Sequence, residues 1–183
     1  MRAMNLIVIE GCDGTGTTTH TEKLGYALAA TLGDDRVRFY RHPPHRPGAG
    51  DWERSLHYAR ERAEMVAREE EGRVIVCDRW VSSTDAIALT LSGQVQQRLL
   101  KLTALERAFL PLPILTVLLD APDTVLDERL SARGESIPPW AGALRRVYRE
   151  EVARVCDAVL STAGDIDRVT DRLLSLAKVE LED

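Results

Sequence analysis

Lysine is nearly missing from this chain: of 24 basic residues only Lys23, Lys101 and Lys178 are lysines, and the rest are arginines. Wherever the protein grips phosphate or carboxylate, the planar arginine fork is the expected instrument. Cysteine is scarce as well. Cys12, Cys77 and Cys156 are odd in number and widely spaced, without the C-x-x-C pair of a zinc or redox site, so they are expected to be small packing residues. Long apolar runs are absent; a segment such as Ile114-Leu115-Thr116-Val117-Leu118-Leu119 falls far short of the ~20 residues of a spanning helix. The opening Met1-Arg2-Ala3-Met4 lacks signal-peptide anatomy, so a cytoplasmic protein is expected. Positive charge is in deficit, with a net charge of −5, which argues against a broad nucleic-acid or anionic-membrane surface. No Pro/Gly-dominated tract is present, which excludes collagen-like and disordered chains.

What is present fits a single domain over residues 1–183, with 44% hydrophobic and 29% charged residues. Strand-length apolar runs at Asn5–Glu10, Val37–Tyr40, Arg73–Cys77, Ile114–Asp120 and Ala158–Ser161 alternate with helical patterns. The helices are expected at Thr18–Leu32, Trp52–Glu71, Thr84–Leu110 with a break at Ser92-Gly93, Pro122–Arg133, Trp140–Cys156 and Ile166–Leu181, with Gly33 and Gly72 as left-handed stops. Such alternation predicts an α/β fold, a five-stranded parallel sheet with helices on both faces. Pro43–Gly50 and Gly134–Pro139 read as loops.

The first strand runs into Gly11-Cys12-Asp13-Gly14-Thr15-Gly16-Thr17-Thr18-Thr19 and then a helix. Glycines let backbone N–H groups close on phosphate oxygens, and the helix dipole favours an anion there. The spacing matches the Walker A pattern G-x-x-x-x-G-K-[ST] except that Thr17 stands where lysine belongs, while Thr18 occupies the position of the magnesium-binding hydroxyl. A mere strand-to-helix connector needs neither three glycines nor three successive hydroxyls, so a phosphate site is expected.

Farther along, the third strand ends in Asp78-Arg79-Trp80, where Asp78 is placed to hold hydrated magnesium and Arg79 a phosphate; a structural ion pair is the alternative. Tyr58 and Arg62 share a helix face, suited to stacking a base and gripping its phosphate, or else Tyr58 is core and Arg62 pairs with Glu61 or Glu64. Arg129 and Arg133 end a helix, and Arg145, Arg146 and Arg149 follow; an arginine-bearing segment of this kind can close over transferring phosphates. His42, His45 and His57 share no metal-ligand spacing and read as surface or loop residues.

In this order the pieces resemble the thymidylate kinase family of nucleoside-monophosphate kinases, over nearly the whole chain. The resemblance is carried by Ile9–Gly16, Arg41-His42-Pro43, Tyr58…Arg62-Ala63-Glu64, Asp78-Arg79-Trp80…Ser83-Thr84 and Leu119-Asp120…Arg129…Arg133-Gly134-Glu135. It implies a P-loop kinase fold with a short lid, transfer of the terminal phosphate of ATP to a pyrimidine deoxynucleoside monophosphate, dTMP foremost, magnesium as metal, and room for a homodimer. By the same resemblance Gly11, Gly14, Thr15, Gly16, Thr17, Thr18 and Thr19 would cradle the donor, with Arg129 and Arg133 approaching it. Arg41, Arg62 and Arg79 would bind the acceptor phosphate, Tyr58 would stack on the base, and Thr84 with Asp85 would lie at the base edge. Asp13, Asp78, Arg79 and Arg133 would be the catalytic set, and Thr18 and Asp78 the metal ligands.

Three departures stand out: Thr17 for lysine, Asp85 where many members carry an amide or small residue, and the short, proline-rich lid. A nucleotide-binding protein without turnover, and a kinase of a modified pyrimidine nucleotide or of a base within DNA, are the rival readings at this stage.

Overall fold

Leu6, Ile7, Val8 and Ile9 are each fully buried, as a central strand covered on both faces requires. They form β1 (Asn5–Glu10) in a computed structural model that describes residues 4–43 and 49–182. With β2 (Val37–Tyr40), β3 (Val74–Asp78), β4 (Leu115–Asp120) and β5 (Ala158–Ser161), β1 builds a sheet in the order β2-β3-β1-β4-β5. Every neighbouring pair is parallel, with Ile9 opposite both Asp78 and Val117. The expected five-stranded α/β architecture is borne out.

Seven helices accompany the strands among the described residues: α1 (Thr17–Leu32), α2 (Asp51–Arg68), α3 (Val81–Thr90), α4 (Gly93–Phe109), α5 (Asp123–Ala132), α6 (Ala141–Glu150) and α7 (Ile166–Glu182). Because side chains alternate across a strand, Ile7 and Ile9 pack with Leu24, Leu28, Leu173 and Ala177 of α1 and α7, while Leu6 and Val8 pack with Met65, Trp80 and Val81 of the opposite layer. A third cluster, with Cys12, Leu118, Leu126, Leu144 and Tyr148, closes the carboxyl ends of the strands. The three cysteines are free and sit in or against these clusters. Among the described residues no helix is long and apolar enough to cross a membrane.

Boundaries moved in four places. The third strand continues to Asp78, because pairing to Ile9 of β1 holds the acid in the sheet where its charge alone suggests a stop. The long pattern expected from Thr84 begins at Val81 and divides at Leu91-Ser92 into α3 and α4. α2 ends at Arg68 on an extended Glu69, so Gly72, although left-handed at φ 82°, belongs to the turn into β3 and is not the helix stop; Gly33 does follow α1 directly. The segment Trp140–Cys156 splits into α6 and a 3-10 turn at Val152–Val155. Of the expected loop Pro43–Gly50, positions 44–48, with His45, lie outside the described residues.

Candidate active site

The turn from β1 into α1 curls back on itself. Gly14 and Gly16 take left-handed φ of 92° and 85°, open to glycine at little cost. Thr15 Oγ1 donates to Cys12 O at 2.8 Å. A Cβ on Gly11 would meet Leu119 O and Thr17 Cγ2 at 2.9 Å, so only glycine lets the loop close against β4. The first turn of α1 carries no acidic residue, which leaves its dipole open to an anion. Thr17 is buried with its methyl turned toward Gly11, whereas Thr18 and Thr19 are exposed at the loop's mouth. His20, one turn on, is buried beside Gly16 with Nδ1 3.2 Å from Thr170 Oγ1. Burial, then Lys23 and Arg129, hold its pKa below the usual value.

Across from the loop, Thr18 Oγ1 donates to Asp78 Oδ2 at 2.5 Å, and the His42 N–H reaches the same oxygen at 3.5 Å. Asp78 is buried, and its second oxygen, Oδ1, is buried without a hydrogen-bond partner. A hydroxyl and a carboxylate with an uncommitted oxygen are hard donors that suit magnesium. Among the described residues no group of three or more His, Cys, Asp or Glu could hold a metal.

Next to it, Arg79 has φ 68°, the sole non-glycine positive φ among the described residues, held by its N–H to Ile9 O at 2.9 Å. Its Nη2 donates to Asp13 Oδ1 at 2.6 Å. Burial works against its charge, but Tyr148, Asp13 and Asp78 outweigh burial and hold the guanidinium more firmly protonated than usual. Strained backbone at a charged residue of this kind gathers at functional sites. Glu10, fully buried at the end of β1, accepts from Trp80 N at 2.9 Å and Ser83 Oγ at 2.6 Å, and burial pushes its pKa up. Ser83 Oγ in turn lies 2.8 Å from the Tyr148 hydroxyl.

A cavity of about 440 Å³ opens beside these groups. Of the expected site residues it is lined by Asp13, Tyr58, Arg79 and Thr84. Tyr58 is buried and also lines the cavity, its ring 4.2 Å from that of His42, so His42, a loop residue as expected, is also part of the wall. Arg54, Trp140, Arg145 and Tyr148 complete the wall and were not singled out for this pocket. Arg54 was legible: it sits one turn before Tyr58 and shares its face.

Other expected residues stand elsewhere. Arg62 faces neither Glu61 nor Glu64; its Nε and Nη2 grip Glu106 at 2.7 and 2.8 Å, Nη1 reaches Trp80 O at 3.4 Å, and Nη2 reaches Thr84 Oγ1 at 3.1 Å. It borders a smaller recess of about 80 Å³, with Arg41, Tyr58, Asp78 and Arg79. Arg41 pairs with Glu22 and is exposed. Asp85 does not line the cavity; it pairs with Arg107 of α4. Arg129 clasps the turn between β1 and α1, with Nη1 on Gly14 O at 3.1 Å and on Thr162 Oγ1 at 3.0 Å. Arg133 pairs with Glu135 in the open, and Arg149 with Asp120 and Asp123.

No family model matches the chain. In sequence it is 33% identical to the thymidylate kinase of Chlamydia caviae and 32% identical to that of Chlamydia felis, each over 138 residues, 63% of this chain. It is 29% identical to the thymidylate kinase of Pelotomaculum thermopropionicum over 185 aligned positions, covering 88% of this chain and 81% of the relative. The chain spans only 65% of the length of the two Chlamydia relatives. In fold it is similar to thymidylate kinase from Ehrlichia chaffeensis, with a TM-score of 0.69 at 19% identity, covering 96% of this chain and 99% of that one. Against that from Candida albicans the TM-score is 0.68 at 19% identity, with 97% and 92% covered. The similarity thus covers 63% to 88% of the chain in sequence and extends to the fold; these relatives and structural neighbours are all thymidylate kinases.

Proposed function

We propose that this chain is a cytoplasmic kinase that transfers the terminal phosphate of ATP to a pyrimidine deoxynucleoside monophosphate, dTMP foremost. The observation that carries the reading is a single cavity lined by Cys12 and Asp13 of the turn after β1, by the strained Arg79, by Tyr58, and by Ser83, Thr84 and Ile87 of α3. A monophosphate at Arg79 would have its base beside Tyr58 and its anion turned toward the loop. The kinship in sequence to thymidylate kinases supports the same assignment.

Phosphoryl transfer needs alignment and charge neutralisation more than covalent help. An oxygen of the acceptor phosphate attacks the terminal phosphorus of ATP, the bond to the bridging oxygen breaks, and ADP leaves. The attacking group is already an anion, so no general base is required. The loop amides from Gly14 to Thr18 hold the donor, and Arg79, oriented by Asp13, holds the acceptor. Thr18 and Asp78 would hold magnesium, which when bound offsets phosphate charge. Arg145, buried, paired with Asp127 at 2.6 Å and lining the same cavity as Cys12, is the arginine proposed to supply the charge that Thr17 does not.

Purified protein incubated with ATP, magnesium and a panel of nucleoside monophosphates, with products resolved by chromatography, tests the reading. The expected outcome is ADP together with dTDP. Nucleotide binding without product for any acceptor would overturn it in favour of a binding protein.

A further inference from the structure

Glu10 is fully buried at the end of β1, does not line the cavity and has no part in the transfer described above. Two donors from the turn that follows Arg79 nevertheless converge on it. Its Oε1 accepts from Trp80 N at 2.9 Å, and its Oε2 accepts from Ser83 Oγ at 2.6 Å. Burial favours a proton on Glu10, whereas these two bonds and the charges of Arg79 and Arg62 oppose one. As a carboxylate it accepts and cannot donate.

From Glu10 outward the direction of each bond follows. A serine hydroxyl has one proton, and that of Ser83 goes to Glu10. In its 2.8 Å contact with the Tyr148 hydroxyl, Ser83 must therefore accept, and the single Tyr148 proton goes to Ser83. Ser83 and Tyr148 both line the cavity that Arg79 lines. Neither has a proton left for a ligand, so toward the cavity both hydroxyls can only accept. Tyr148 and Arg79 are electrostatic neighbours, each prominent among the groups that act on the other. A phosphate drawn to Arg79 thus finds acceptors alone on this side, and their lone pairs repel its oxygens.

We infer that Glu10 is a positioning residue acting through Ser83 and Tyr148: it leaves this wall without free protons, so that the acceptor's phosphate is held at Arg79 and gains no second hold on Tyr148. The inference rests on the proposed monophosphate site.

Glu10→Gln reverses the chain of bonds at nearly constant shape. The Trp80 N–H still needs an acceptor, so the amide oxygen faces it and the amide NH2 faces Ser83; Ser83 then donates to Tyr148, whose proton is released. Ser83→Ala releases the same proton and keeps the Glu10 charge. Calorimetric titration of the full chain with dTMP, and with thymidine as the ligand without the anion, reads the outcome. Each variant is expected to bind dTMP at least ~10-fold more tightly than the native protein, the size of one added hydrogen bond to a charged group, with thymidine affinity within ~2-fold. A merely structural loss would weaken both ligands instead. In a Tyr148→Phe background either substitution should change dTMP affinity by less than ~3-fold, because the released proton is gone. Should Glu10→Gln fail to fold, Ser83→Ala alone decides. Unchanged or weaker dTMP binding, a gain that thymidine shares, or a gain that survives Tyr148→Phe would each overturn the inference. Failure of the native protein to bind dTMP would instead overturn the proposed function on which it stands.

Discussion

Thr18 and Asp78, sixty positions apart in the chain, share a 2.5 Å hydrogen bond that joins the first turn of α1 to the end of β3. It leaves the other Asp78 oxygen buried and, among the described residues, without a hydrogen-bond partner, so that oxygen is uncommitted and could serve as a metal ligand. Asp78→Asn keeps the shape and removes the charge. Calorimetry of magnesium binding to the protein–ATP complex should show a loss of at least ~10-fold, with ATP affinity in the absence of metal nearly unchanged. Unaltered magnesium affinity would move the metal away from this pair.

Arg79 combines a guanidinium in the site with a backbone that a side chain rarely adopts. Positive φ in a non-glycine residue costs of order 1–3 kcal/mol, which Arg79→Gly would relieve, offset by the greater freedom of glycine in the unfolded chain. The melting temperature is expected to stay within a few degrees of native or rise, while monophosphate affinity falls ~10- to 100-fold, the loss expected of a charge-assisted grip. A variant that melts much earlier would place the role of Arg79 in folding, and one that binds normally would remove it from the site.

Arg145 is 5% exposed, anchored to Asp127, and lines the cavity, whereas Arg149 is tied to Asp120, Asp123 and the carbonyl of Ala121. If Arg145 supplies the charge that Thr17 does not, Arg145→Met should cut single-turnover transfer at least ~100-fold, the size of one preorganised charge-stabilising donor. Arg149→Met should leave it within a few fold, and Thr17→Lys should restore part of the rate in the Arg145→Met background. Normal transfer by Arg145→Met would hand the role to another group.

His20 predicts a pH dependence of stability. Burial, aided by Lys23 and Arg129, lowers its folded pKa below the ordinary 6.5, so the unfolded chain takes up the proton first as pH falls. Its contribution is complete above about 6.5 and is lost as pH drops from there toward the folded pKa. Urea unfolding between pH 7.5 and 5 should give a steeper loss for the native protein than for His20→Gln. Parallel curves would show that His20 is not the group responsible.

The parallel sheet was legible from the chain because its signals are local: an unbroken apolar run such as Leu6–Ile9, a helical stripe behind it, and Gly14 and Gly16 at the turn. So was the glycine-rich turn into α1, since strand, glycines and helix N-terminus adjoin in sequence and favour an anion where they fold. The cavity was half legible. Tyr58 and Arg79 carried their own signals, and Arg54 followed from helical spacing, but Trp140, Arg145 and Tyr148 reach it from an element more than sixty residues beyond Arg79.

What the tertiary structure alone decided is which arginine each carboxylate takes. Arg62 has Glu61 beside it in sequence and Glu64 two positions on, yet its partner is Glu106, because α2 and α4 bury those two side chains against one another; Asp85 likewise faces Arg107 across α3 and α4. A chain with 21 arginines and 29 acids permits very many pairings. Local spacing ranks them by separation along a helix, whereas the cost of leaving a buried charge unpaired ranks them by packing. The second ranking governs inside the protein, and it exists only once the helices have docked.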